Sequence, residues 1–254
     1  MPLPGSRRKP IRRRWWQVQP EKPGTGRASA RTLGVITIGQ TPRTDLTPEI
    51  EQLLPGISIV ERGTLDGLSA SEIAQLAPAY GDHVMTTRLR DGSAAVIGHG
   101  PLVARVQEAI LDLQQEADVI LLACTGEFPA FVHNKPLIQP DHVVAHTLAA
   151  LASRSRRVGI LCPLDDQQDV ARAKYGAFLP DSVAISTAVA TPYSDERAPL
   201  TAAAEQLRRD GAEIIVLDCM GYTALMRSQV IEASGLPVLL ARSVASRIAA
   251  ELLS

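Results

Sequence analysis

Two cysteines stand at matching places in the two halves of the chain. The segments Ala117–Gly126 and Ala212–Gly221 share one pattern: Ala, an acid, four apolar residues, one further residue, Cys, any residue, Gly. A thiolate can remove a proton α to a carboxyl or carbonyl group, and a thiol on the opposite face can deliver one. Cys124 and Cys219 therefore predict proton-transfer chemistry, although either cysteine alone would be taken for a small buried hydrophobic residue.

The elements that must position these cysteines follow a simple alternation. From residue 31 onward, short apolar runs alternate with amphipathic stretches, which predicts an α/β fold of parallel strands joined by helices. The predicted strands are Leu33–Ile38, Ile57–Arg62, Ala94–Ile97, Asp118–Ala123, Arg157–Cys162, Val183–Val189, Glu213–Asp218 and Pro237–Leu240. The predicted helices are Asp45–Leu54, Ser71–Leu76, Leu102–Glu116, Val143–Ser153, Asp165–Phe178, Leu200–Asp210, Tyr222–Ser234 and Ser243–Leu253.

The repeat extends to the runs Leu33–Ile38 and Arg157–Cys162, which open the two halves. We therefore expect two related lobes: a first lobe over 31–146, completed by a C-terminal helix over 242–254, and a second lobe over 147–241. Ligands of parallel sheets bind at the carboxyl ends of the strands, beside the N-termini of the helices that follow. The two cysteines are thus expected to face one cleft between the lobes, with helix dipoles favouring their thiolate forms.

The loop Gly39–Asp45, after the first predicted strand, carries candidate substrate-binding groups. In it, Gln40 and Thr41 are candidate hydrogen-bond donors, and Arg43 is a candidate bidentate clamp for a carboxylate. The alternative is a turn in which Thr44 caps a helix and Arg43 is solvated.

Further candidates lie near the cysteines and in other strand-end loops. His99, between two glycines, is expected to act as an acid or base, to orient a thiol, or to have no such role. The remaining candidate substrate contacts are Thr125, Gly126, Gly221, Tyr222 and Tyr193. Asp218 and Glu127 flank the cysteines, where a carboxylate could relay protons or oppose thiol ionisation, and both alternatives stay open.

Composition narrows the class of protein. The 254 residues are 45% hydrophobic and only 4% aromatic, which suits a packed globular protein and leaves few rings for stacking on single-stranded nucleic acid. Residues 1–30 hold eight basic residues and one acid, so a net charge of +7 there is offset by −8 in the remainder. This division predicts a disordered basic tail, with a patch for RNA or an anionic membrane as the functional alternative to a bare extension.

The three cysteines form no CxxC pair, and no run of 18 apolar residues suggests a membrane span. We therefore expect a cytoplasmic protein with no disulfide framework, no metal site, no membrane association and no nucleic-acid partner. A homo-oligomer is compatible with the sequence.

Three segments carry a family resemblance: Val35–Arg43, Val216–Tyr222 and Arg247–Leu253 resemble the AroM protein family. The duplicated cysteine motif is similar to the aspartate/glutamate racemase superfamily, which includes hydantoin racemases, maleate isomerases and arylmalonate decarboxylases. The resemblance implies two pseudo-symmetric, flavodoxin-like or Rossmann-like lobes with parallel sheets, a cysteine pair in the cleft between them, and no metal, pyridoxal phosphate or nucleotide cofactor.

Cysteine neighbours of that superfamily are commonly Asn-Thr after the first cysteine and Thr after the second. Here Thr125–Gly126 and Met220–Gly221 stand instead. The expected function is a cofactor-independent racemase or isomerase that transfers the α-proton of a small carboxylate, amino-acid or hydantoin-like substrate. The alternative is a non-catalytic protein of the same fold that binds or senses a small carboxylate.

Overall fold

A computed structural model of the protein describes residues 31–194 and 196–254, so the expected basic tail over 1–30 lies outside the described residues. The first half contains β1 (Thr32–Thr37), α1 (Thr47–Leu53), β2 (Ser58–Gly63), α2 (Ala70–Ala74), β3 (Val84–Arg88), β4 (Ala94–Gly98), α3 (His99–Leu113), β5 (Val119–Leu122), β6 (Leu137–Ile138) and α4 (Pro140–Ala152). The second half contains β7 (Arg157–Cys162), a 3-10 turn (Asp165–Gln167), α5 (Gln168–Gly176), β8 (Ala184–Val189), α6 (Ala198–Arg209), β9 (Ile215–Leu217), α7 (Ala224–Ser234), β10 (Val238–Leu240) and α8 (Ala241–Leu253). None of these helices is long and apolar enough to cross a membrane.

Eight of the ten described strands form two parallel sheets with the same order of strands. The first sheet runs β2-β1-β5-β6 and the second runs β8-β7-β9-β10. The central strands β1 and β7 open the two halves, and the strands that precede the cysteines, β5 and β9, lie beside them. This arrangement confirms the expected α/β fold of two lobes with parallel sheets.

Two glycines show how closely the lobes correspond. A Cβ on Gly34 of β1 would lie 3.0 Å from Ala117 Cβ and 3.2 Å from Leu113 Cδ1. A Cβ on Gly159 of β7 would lie 3.2 Å from both Ala212 Cβ and Leu207 Cδ1. In each lobe, then, a glycine in the central strand lets the end of a crossover helix pack directly on the sheet.

The first lobe carries an insertion that the expected topology lacks. The expectation that Ala94–Ile97 forms a parallel strand is wrong, because β4 pairs antiparallel with β3, from Val84 opposite Gly98 to Arg88 opposite Ala94. Gly92, at φ +87°, allows the tight turn between them. The sequence analysis did not predict β3, because Thr86 and Thr87 interrupt its apolar residues. It did not predict β6 either, because two residues are too few to form an apolar run.

Three apolar cores hold the layers together. One lies between α3 and the first sheet, and a second lies between the second sheet and helices α6 and α7. The third contains residues of both sheets together with α1, α4, α5 and α8, so it joins the two lobes. Helix α8, at the end of the second half, contacts β1, β5 and β6 of the first sheet. The two sheets are therefore fixed against each other by buried apolar surface.

The glycine packing leads to a stability prediction. The substitution Gly34→Ala should lower the free energy of unfolding by about 1–3 kcal/mol, because its methyl group has no room beside Ala117 and Leu113. The matched control Gly100→Ala lies in α3, where no atom comes within 4 Å of the place that the added methyl group would take. It should leave stability unchanged or raise it by up to about 1 kcal/mol. Urea unfolding followed by circular dichroism measures both, and equal values for the two variants would contradict this packing.

Candidate active site

A cavity of about 400 Å³ opens where the carboxyl ends of the two sheets meet. Its wall includes Cys124, just beyond β5, and Cys219, just beyond β9, and each cysteine is only 8% exposed. Cys162, which ends β7, also lines this cavity. The volume lies within the range of about 300–1,000 Å³ that is usual for small-molecule sites.

The two cysteine loops have the same local geometry. The backbone N–H of Gly126 donates to Cys124 Sγ at 3.4 Å, and the N–H of Gly221 donates to Cys219 Sγ at the same distance. A glycine two residues beyond each cysteine therefore orients the sulfur in both lobes. The pattern repeated in the sequence corresponds to a repeated hydrogen bond.

The ionisation of the thiols differs from the sequence expectation. Burial raises the pKa of Cys124 to about 12 and also raises the pKa of Cys219. The expected helix dipoles are remote, because α7 begins five residues beyond Cys219, at Ala224, and the next element after Cys124 is the short strand β6. The expectation of thiolates favoured by helix N-termini is therefore wrong, and the dry environment favours neutral thiols.

The surroundings of Cys219 oppose this effect of burial more strongly than those of Cys124. The Gly221 N–H, the Tyr193 hydroxyl and the Arg43 guanidinium all act to lower the pKa of Cys219. The Tyr193 hydroxyl lies 3.9 Å from Cys219 Sγ, and burial keeps the pKa of Tyr193 well above its usual value, so the phenol keeps its proton. A carboxylate raises each thiol pKa further, Asp218 at Cys219 and Asp141 at Cys124, and the groups that lower the pKa of Cys124 are the Gly126 N–H and the Lys174 ammonium.

Arg43 is 3% exposed and lines the cavity. Its Nε and Nη2 donate to the two carboxylate oxygens of Asp45 at 2.8 Å, and its Nη1 donates to Thr37 Oγ1 at 2.6 Å. Burial lowers the pKa of Arg43, but Asp45 more than compensates, so the guanidinium stays charged. Of its five N–H donors, these bonds leave two with no partner within the described residues.

Other candidates from the sequence also reach the cavity wall. These are His99, Thr125, Gly126 and Tyr193. His99 begins α3, and its Nε2 lies 2.8 Å from the Glu127 carbonyl oxygen. The Thr125 hydroxyl donates to the Asp218 carbonyl at 3.0 Å, so it ties the two cysteine loops together instead of facing a ligand.

Four candidate residues lie away from the cavity wall. Thr41 donates to Asp66 through its backbone N–H and its hydroxyl, and Gln40 bonds to the Leu65 carbonyl and the Arg90 N–H. Tyr222 is fully buried in the second-lobe core and donates to the Ala190 carbonyl at 2.6 Å.

Gly221 is the fourth, because the ring of Tyr193 and the side chain of Pro192 cover it. The structure places these four predicted contacts outside the cavity wall, where they shape the loops that present other groups.

Lys174 of α5 is the main site residue that the sequence did not reveal. It is 6% exposed, and its Nζ donates to both carboxylate oxygens of Asp218, at 2.6 and 2.9 Å, and to the Thr125 carbonyl at 2.9 Å. The Tyr175 hydroxyl donates to the same carboxylate at 3.0 Å. The available signal was the helical spacing of Ala171, Lys174 and Tyr175, which places a lysine on an apolar face.

Arg242 of α8 is a second site residue that the sequence analysis missed, since it too is a charged residue on the buried face of a helix. It is 1% exposed and donates to the carbonyls of Met220 and Gly221, at 2.9 and 3.2 Å, in the loop of Cys219. Its Nη1 also reaches the Asp45 carbonyl at 3.0 Å. Within residues 31–194 and 196–254, the His, Cys, Asp and Glu side chains form no group of three that could hold a metal ion.

Several solved structures have this two-lobed fold. An arylmalonate decarboxylase is 19% identical, with 88% of this chain and 92% of that chain covered and a TM-score of 0.58. An allantoin racemase from Pseudomonas fluorescens is 19% identical (87% and 90% covered, TM-score 0.56), and a glutamate racemase from Bacillus anthracis is 12% identical (88% and 81% covered, TM-score 0.55). The chain thus shares its two-lobed fold with these enzymes.

A comparison with protein-family models identifies the family of the chain. The model of the AroM protein family matches residues 33–253, nearly all of the described chain, so the protein belongs to the AroM family. No curated protein sequence matches it.

The contacts of Lys174 lead to a prediction for the site. Lys174→Met should lower the free energy of unfolding by about 3–5 kcal/mol, because it leaves the Asp218 carboxylate buried without its counter-ion. Arg197→Met breaks an exposed ion pair with Glu232 and should cost less than about 1 kcal/mol. Adding Asp218→Asn to Lys174→Met should recover part of the loss in urea unfolding. Equal costs for the two single variants would refute the role of the buried pair.

The unequal surroundings of the thiols lead to a second prediction. With iodoacetamide at about pH 8, both cysteines should react more slowly than a free thiol, and Cys219 should react faster than Cys124. Arg43→Met should slow alkylation of Cys219 severalfold and leave Cys124 unchanged, whereas Arg209→Met, on the exposed face of α6, should change neither rate. Peptide mass spectrometry over time measures each site, and indistinguishable rates in the unaltered protein would contradict the assigned electrostatics.

Proposed function

We propose that this protein is a cofactor-independent racemase or isomerase that moves an α-proton of a small carboxylate, amino-acid or hydantoin-like substrate by means of Cys124 and Cys219. The observation that carries the proposal is that both sulfurs, each oriented by the equivalent glycine N–H, line a single buried cavity. One acid and one base are what inversion at carbon requires. The fold shared with racemases, an isomerase and a decarboxylase agrees with it.

The proton transfers balance with two cysteines alone. The thiolate of one cysteine removes the α-proton, and the C–H electron pair moves toward the neighbouring carboxyl or carbonyl group to give an enolate. The thiol of the other cysteine then donates its proton to the opposite face of the carbon as the new C–H bond forms. The first cysteine ends as a thiol and the second as a thiolate, so the reverse reaction restores the starting state.

Arg43 supplies the positive charge that this chemistry needs. Its two uncommitted N–H groups can pair with a substrate carboxylate, and a buried guanidinium stabilises the negative charge that develops on an enolate. Asp45 and Thr37 hold the guanidinium in place before substrate arrives, which reduces the reorganisation needed during the reaction. Because Arg43 also favours the thiolate of Cys219, that cysteine is the proposed base in the resting protein.

Non-catalytic binding of a small carboxylate is the second candidate function, and one observation favours it. Burial raises the pKa of both cysteines, so neutral thiols dominate near neutral pH. A protein that only binds would show saturable ligand binding without any transfer of solvent deuterium into the ligand.

Exchange in deuterated water tests the proposal. With a substrate found by screening chiral carboxylates, amino acids and 5-substituted hydantoins, the protein should wash deuterium into the α-position and interconvert the enantiomers. Cys124→Ser and Cys219→Ser should each lower the interconversion rate by at least about a hundredfold, since a hydroxyl is a far weaker acid than a thiol. Ser243→Ala, in α8 away from the cavity, is the control. Full exchange in either cysteine variant would refute the two-cysteine mechanism.

The raised thiol pKa also fixes the direction of the pH dependence. The folded pKa lies above the ordinary value of 9.0, so the thiolate fraction at neutral pH is small and rises about tenfold per pH unit. The exchange rate at saturating substrate should therefore increase with pH between about 7 and 9.

A further inference from the structure

The cavity has two chemically different ends. At the end near Cys219, the Tyr193 ring and the Pro192 side chain cover Gly221, whose N–H donates to the cysteine sulfur. At the end near Cys124, Met85 of β3 covers Gly126, whose N–H donates to the cysteine sulfur. The Met85 Sδ is 2.7 Å from the position that a Cβ on Gly126 would take. That same position is 3.5 Å from Cys124 Sγ, so the Met85 thioether and the Cys124 thiol border the same glycine. The equivalent glycines of the two lobes thus meet a phenol on one side and a thioether on the other.

The end near Cys219 holds the groups that recognise negative charge. These are the Arg43 guanidinium, with two N–H groups uncommitted, and the Tyr193 hydroxyl, 3.9 Å from the sulfur. An anionic carboxylate therefore has its best position at this end.

The end near Cys124 has no uncommitted cation among the described residues. Val84 and Met85 of β3 contribute apolar side chains to the cavity wall together with Phe128 and Pro129, and His83, His99 and Glu127 line it as well. Lys174 also reaches this part of the cavity, but Asp218 and the Thr125 carbonyl take its hydrogen bonds. The ring of His99 packs on Phe128, with centroids 5.0 Å apart, and its Nε2 is held at the Glu127 carbonyl. A second carboxylate placed here would lose its hydration without gaining a counter-ion.

We propose that the substrate carries an apolar group on its α-carbon and that the β3–β4 hairpin selects it through Met85, with Val84 and Phe128 completing the wall. This inference rests on the proposed function for the orientation of the substrate, with its carboxylate at Arg43. A thioether suits this task, because it is polarisable and makes favourable contacts with aromatic and aliphatic groups alike. Substrates with a second carboxylate on the side chain, such as acidic amino acids, are disfavoured by the same wall.

Three carboxylates that differ only at the α-substituent test this selectivity without any turnover. They are phenylacetate, propionate and succinate, which place a phenyl, a methyl or a carboxymethyl group on the α-carbon. Calorimetric titration should show phenylacetate binding at least about tenfold more tightly than propionate, because the phenyl ring buries more apolar surface. Succinate should bind no more tightly than propionate. Tighter binding of succinate than of phenylacetate, or equal binding of all three, would overturn the proposal.

Variants assign the selectivity to the hairpin. Met85→Gln keeps the length of the side chain but adds an amide, and it should remove most of the preference for phenylacetate over propionate. Val96→Gln, on an exposed position of β4 in the same hairpin, should leave the preference intact. Arg43→Met should weaken all three ligands alike, which separates the anchor from the selecting wall. An unchanged preference in Met85→Gln would refute the assignment to Met85.

The outcome is independent of catalysis. If the phenylacetate preference appears but no α-proton exchange is found with any aryl-substituted acid, the proposed turnover fails and the apolar specificity stands. If exchange is found only with dicarboxylates, the two-cysteine function stands and the specificity fails.

Discussion

The site depends on one buried ion pair, between Lys174 and Asp218. The ammonium group also holds the Thr125 carbonyl, so a single side chain of α5 fixes the residue after Cys124 and the residue before Cys219. Burying two charges costs several kcal/mol each, which only close pairing and full hydrogen bonding can offset. Here the Tyr175 hydroxyl and the Thr125 hydroxyl complete the network. We infer that its main role is geometric, since it sets the position of one cysteine relative to the other.

Arg242 applies the same principle to the other side of the Cys219 loop. It donates to two carbonyls of that loop and to the Asp45 carbonyl, so it holds the loop against the segment that carries Arg43, the proposed carboxylate anchor. Its position at the start of α8 corresponds to that of Asp141 at the start of α4, each following the last strand of its sheet. The two halves thus keep the same backbone plan but carry opposite charges at equivalent points. Of these two charges, that of Asp141 acts on the pKa of Cys124, whereas the charges that act on Cys219 are those of Arg43 and Asp218.

The sequence predicted the fold and the cysteine pair well, because both depend on local and repeated patterns. Short apolar runs revealed β1, β5, β7 and β9, and duplication revealed the cysteines at equivalent strand ends. Ion pairs between residues far apart in the sequence were harder to predict. Lys174 and Asp218 are 44 positions apart, and no pattern near Lys174 indicates its partner. The side chains of Thr41 and Tyr222 lie outside the cavity wall, because a position in the chain does not specify which way a side chain turns. Strand β3 was not predicted, because Thr86 and Thr87 interrupt its apolar residues.

Burial has two opposed consequences for the proposed chemistry, and the placement of Arg43 reconciles them. A dry cavity strengthens every electrostatic interaction within it, which helps to stabilise an enolate, but it also disfavours the thiolate that must form first. A fixed cation near Cys219 favours its thiolate and also stabilises the enolate, because the thiolate and the enolate both carry negative charge at that end of the cavity. Two such cations would favour two thiolates and leave no proton donor. One arginine near Cys219, and no uncommitted cation near Cys124 among the described residues, therefore suit a base and an acid better than a symmetric site would.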